Sequence, residues 1–118
     1  MVIDLQRPWE AAHQGRELGE LHRRILCLRP PDGLHGEGPS IRHGHLGRSL
    51  VILTERGPVV VGWSDAHRGT AQSDVSATLA IIAELRPPAN ARLRPLADRS
   101  WRRFDQAYRA AVGSIVDQ

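Results

Sequence analysis

The stretch Ser49-Leu50-Val51-Ile52-Leu53-Thr54-Glu55-Arg56-Gly57-Pro58-Val59-Val60-Val61-Gly62-Trp63-Ser64 reads as two strands joined by a tight turn. Aliphatic and β-branched residues fill both arms, and the Arg56-Gly57 pair supplies a residue that tolerates positive φ. With those two residues as the turn, Leu50 pairs with Trp63, Ile52 with Val61 and Thr54 with Val59. These six share one face, and Val51, Leu53, Val60 and Gly62 share the other. Both faces are largely apolar. Such a hairpin cannot stand alone in water, so helices must cover at least one face, and the second needs either more helix or another copy of the chain.

Three helices are available for that work. Pro8 suits a first helical position, because its missing N–H is not needed there. From it to about Ile25 the residues Ala11, Leu18, Leu21 and Ile25 recur at helical spacing. Gly15 and Gly19 each weaken this helix by about 1 kcal/mol against alanine. Their spacing of four admits a close backbone neighbour, but outside a membrane it is more often accidental. Arg29-Pro30-Pro31-Asp32-Gly33 stops the helix, and a glycine- and histidine-rich loop follows.

A second helix, capped by Ser73 or Asp74 and running to about Leu85, buries Val75, Thr78, Leu79, Ile82 and Leu85. Pro87-Pro88 ends it. The third, from about Leu96 to Val116, has the clearest period: Trp101, Phe104, Tyr108, Ala111, Val112 and Ile115 on one side, and Arg99, Arg102, Arg103, Gln106 and Arg109 on the other. Trp9 and Trp63 are both assigned to the core. A short strand over Val2 to Leu5 and a third strand near 39–43 are candidates for the sheet. The expected fold is therefore α+β: a small antiparallel sheet around the 49–64 hairpin, packed by about three helices in a single domain spanning residues 1–118.

Composition narrows the function classes. No apolar run is long enough to cross a bilayer, the opening residues lack the layout of a signal peptide, and one cysteine, Cys27, excludes an internal disulfide. A cytoplasmic protein is expected, with Cys27 buried and inert between Leu26 and Leu28. All sixteen basic residues are arginine, which codon usage in a GC-rich genome explains more simply than selection for guanidinium. The basic excess sits in the last third, where seven arginines from Arg86 to Arg109 face only Asp98 and Asp105.

That asymmetry supplies the most physical binding signal. Arg99, Arg102, Arg103 and Arg109, with Arg92 and Arg94 leading into them, form a stripe suited to phosphates or an acidic partner. The aromatics that would stack on bases lie on the buried side, which counts against nucleic acid. His43-Gly44-His45 places two imidazoles on one side of a strand, and with His35 from the loop they make a candidate metal set. Ser64-Asp65-Ala66-His67 has the residue types of a triad without an enforced geometry. No phosphate-cradling loop or nucleophile elbow is present. The preferred reading is a non-enzymatic protein-binding, regulatory or adaptor module without a cofactor, acting with a protein partner and as a homodimer. Nucleic-acid binding through the arginine face is the first alternative, and a metal-dependent enzyme using His43 and His45 the second.

Overall fold

The computed structural model describes residues 3, 4, 6–47, 51–88 and 94–116, with backbone alone at Leu53, Arg94 and 114–116. In chain order it contains α1 (Pro8–Leu26), β1 (Ser40–Arg42), β2 (Val51–Thr54), β3 (Gly57–Val60), a turn of 3-10 helix (Trp63–Asp65), β4 (His67–Gly69), α2 (Ala71–Glu84) and α3 (Arg94–Val116). The α+β class is as the sequence indicates: three helices and antiparallel pairs, β1 with β4 and β2 with β3. The pairs are separate two-stranded ribbons, so the strand near 39–43 exists but does not extend the hairpin. Its partner β4 falls in a stretch that shows no apolar alternation and reads as loop.

The most extensive packing joins α1 to α3. An added Cβ at Gly15 would collide with the backbone carbonyl of Phe104, and one at Gly19 with Ala111 Cβ and, at 2.9 Å, with Tyr108 O. The contacts climb both helices together, so α1 and α3 run in the same direction. The glycine spacing is therefore what lets two backbones meet, and the accidental reading is wrong. α2 runs the other way: Trp101 donates its indole N–H to Ile82 O at 2.8 Å near the start of α3, while Val75 and Val112 lie together near its far end. Ala11, Leu18, Leu21, Ile25, Val75, Ile82, Phe104, Tyr108 and Val112 make the core between them.

The helix ends differ from expectation in instructive ways. Thr70 caps α2 by accepting from Ser73 N at 3.2 Å, which frees Asp74 for another role. Leu85 and Leu28 fall beyond the helix ends and are exposed. The loop after α1 is held by Arg68, whose guanidinium donates to Leu34 O and Pro31 O at 3.1 Å each.

The hairpin is an arm rather than a centre. Its register is Val51 with Val60, Ile52 with Val59, Leu53 with Pro58 and Thr54 with Gly57, so Glu55-Arg56 form the turn, one residue earlier than read. That shift moves each partner by two positions, so every side chain keeps its face. Val51 is buried in the core cluster with Val60 packed beside it, whereas Ile52 and Val59 are 50% and 44% exposed. One side is covered and the other is open, so helices do not clothe both faces. Trp63 (40%) and Trp9 (67%) are likewise surface residues, not core. Pro58, without an N–H, suits a strand whose far edge has no partner among the described residues. Ile3 and Asp4 are not in a strand, and the rest of that expected element, with Ser49 and Leu50, lies outside the described residues.

Candidate functional site

The polar centre of the molecule is one that sequence reasoning missed. Asp74 and His22 are both buried, and the imidazole Nε2 donates to Asp74 Oδ2 at 2.9 Å. Two backbone N–H groups from the loop after β1 complete the carboxylate's shell: His43 N to Oδ2 at 3.1 Å and Gly44 N to Oδ1 at 3.0 Å. On its other side His22 Nδ1 meets the Tyr108 hydroxyl at 2.7 Å, the phenol donating when the ring is neutral. The chain Tyr108–His22–Asp74–loop thus ties α3, α1, α2 and the 43–44 turn at one point. Arg42 Nε approaches Asp74 Oδ1 at 3.6 Å, and its Nη2 donates to Ser73 O at 3.4 Å.

Burial alone would raise the Asp74 carboxyl. The His22 hydrogen bond and field, with the Gly44 and His43 amides, overcome it and bring the group from 3.8 to about 2. Burial raises Tyr108 above its ordinary value, and the nearby Asp74 charge adds to that; the Arg109 charge pulls the other way without reversing it. The phenol therefore stays protonated. Thr78 Oγ1 lies beside it without reaching hydrogen-bond geometry, and is buried and unpaired. With all three side chains closed from solvent, this network fixes the helices relative to one another.

The histidines of the candidate metal set have other duties. His43 is fully buried, donates Nε2–H to Val61 O at 2.7 Å and accepts from His45 N at Nδ1, so neither nitrogen is left for an ion. Its ring stands edge-on to Trp63, 4.7 Å between centroids. His45 pairs instead with Asp65 at 2.7 Å, both exposed, and His35 stacks on His67 at 5.9 Å. Among the described residues no three His, Cys, Asp or Glu side chains are placed to hold a metal. His67 touches the Asp65 carbonyl, not its carboxylate, so the Ser64-Asp65-His67 constellation does not form. The exposed His45–Asp65 pair contributes at most about 1 kcal/mol. Cys27 is exposed, contrary to expectation.

The arginine face exists but is partly neutralised. Arg102 donates to Asp98 at 3.2 Å and Arg109 to Asp105 at 3.0 Å, each one helical turn apart, and Arg86 also reaches Asp98 at 3.3 Å. Arg99 and Arg103 have no ion-pair partner among the described residues, and with Arg102 they line a surface depression of about 360 Å³. Arg92 lies outside the described residues, and Arg94 is placed by its backbone alone, as the first residue of α3. No helix among the described residues is long and apolar enough to cross a membrane.

Comparison with protein-family models, with curated proteins and with solved structures finds no match to this chain. Apolar as well as charged surfaces of the chain are open to solvent. The most prominent is the open side of the hairpin, where Ile52 and Val59 face each other across the strands and Trp63 stands beyond the end of β3.

Proposed function

We propose that this protein is a protein-binding module of regulatory or adaptor type, without turnover of its own, which engages its partner through the open face of the β2–β3 hairpin. The observation that carries the reading is the half-exposed pair Ile52 and Val59, directly opposed on adjacent strands; Trp63, three residues past β3 with its indole N–H on Val60 O, is exposed as well. Large apolar side chains gathered on a projecting arm are what a protein interface uses as its buried centre. The arginines favour a phosphate partner less, because Arg102 and Arg109 already have carboxylates. A cytoplasmic setting goes with this reading, since Cys27, the one cysteine in the sequence, is exposed and has no disulfide partner.

The test compares the wild type with Ile52→Ser/Val59→Ser. Because both positions are already half exposed, the melting temperature is expected to move by only a few degrees, equivalent to about 1 kcal/mol. Proteins cross-linked to the wild type in cells, and retained at high salt, are expected to be lost from the double variant. Retention of the same proteins by the variant, or tight salt-steep binding of a generic duplex by the wild type, would overturn the proposal in favour of another surface or of nucleic acid.

A further inference from the structure

A second surface is independent of the hairpin. Along the outer side of the α1–α3 seam runs a groove of about 490 Å³, floored on α3 by Ala107, Ala110 and Ala111. α1 contributes Trp9, Ala12, His13, Arg16, Glu20 and Arg23, which at 100° per residue fall in one narrow arc of that helix. Apart from His13, their spacing is symmetric about Arg16: Trp9 and Arg23 lie seven residues to either side, Ala12 and Glu20 four. Among the described residues Glu20 and Arg23 have no ion-pair partner, and Arg16 meets only the His13 ring, at 3.3 Å.

We propose that this groove seats a second copy of the chain, the two α1 helices lying antiparallel about a two-fold axis at Arg16. Such a pairing sets Trp9 of each copy level with the partner's Arg23, an indole–guanidinium contact. Each Glu20 comes level with the partner's Ala12 and within one helical turn of the partner's His13 and the partner's Arg16. The two Arg16 side chains meet at the axis between two Glu20 carboxylates, so charges alternate along the seam. The alanines let the helices approach closely. The mixed lining selects this occupant: a wholly acidic helix would oppose Glu20, and a wholly basic one would oppose Arg16 and Arg23. An isologous surface complements itself.

The test combines sedimentation equilibrium with directed cross-linking, using the full chain. The wild type is expected to dimerise, and Glu20→Arg to weaken the dimer by at least about tenfold. Arg16→Glu combined with Glu20→Arg in one chain should recover most of that loss. In a Cys27→Ser background, Arg16→Cys at the axis is expected to form a disulfide-linked dimer with oxidised glutathione far faster than Arg102→Cys on the other side of α3. These side chains are exposed, and circular dichroism checks that each variant is folded. A wild type that is monomeric at every concentration would overturn the proposal, as would a dimer indifferent to Glu20→Arg or equal cross-linking at positions 16 and 102. Such failure leaves the hairpin reading standing, because none of these residues lies on β2 or β3.

Discussion

Gly15→Ala is expected to destabilise the protein by about 2–4 kcal/mol, and Gly19→Ala by a similar amount, as measured by urea unfolding. The sign is the informative part. In an exposed helix the same change stabilises by about 1 kcal/mol, because alanine loses less backbone entropy. Here the added methyl group of Gly15 meets the Phe104 carbonyl, which belongs to the α3 backbone and cannot swing aside. At Gly19 the obstruction is Ala111 together with the Tyr108 carbonyl at 2.9 Å. Relief requires α1 and α3 to separate, which opens the contact holding Phe104, Tyr108 and Val112 in the core. Equal or greater stability in either variant would mean that the helices do not touch there.

The second large effect belongs to Asp74. Asp74→Asn is expected to cost about 2–4 kcal/mol, since the amide accepts less strongly from His22 and from the two loop N–H groups. The pH dependence follows from the depressed carboxyl. Its folded value of about 2 lies below the ordinary 3.8, so the ionised form is favoured by folding. That stabilisation, about 2 kcal/mol, is fully present above about pH 4 and is lost as pH falls through about pH 2. Unfolding free energies followed over this window should fall for the wild type and fall less steeply for Asp74→Asn. Parallel curves would remove Asp74 from the account.

The parts of this fold that were legible in the sequence are those written in local period. α1 and α3 repeat apolar residues every three or four positions, and their bounds lie within two residues of the pattern. The hairpin was legible in its faces, because a two-residue slip of partner preserves side-chain parity. What the pattern does not carry is which face meets the core. Ile52 and Val59 are as apolar as Val51 and Val60, and the choice is made by helices distant in sequence. The Asp74 network was hidden for the same reason: its members stand at 22, 43, 44, 74 and 108, and Asp74 near a helix start looks like an ordinary cap. Gly15 and Gly19 were visible, but whether a helix lies against them is a tertiary fact. His43 and His45 illustrate the converse, since neighbours in sequence diverge, one ring buried on Val61 O and the other on exposed Asp65.

These observations divide the molecule into a helical block, locked by close glycine contacts and a buried carboxylate, and a hairpin arm that rests on it mainly through Val51. Binding surfaces drawn from the less stable part of a fold open without global unfolding. Residue-resolved amide hydrogen exchange of the intact wild-type chain tests that division most directly. Amides of Gly15–Ile25 and Phe104–Val112 are expected to exchange only with global unfolding, and those of β2 and β3 through local opening at far lower cost. Hairpin amides as slow as those of α1, or an α1–α3 seam as fast as the hairpin, would contradict it.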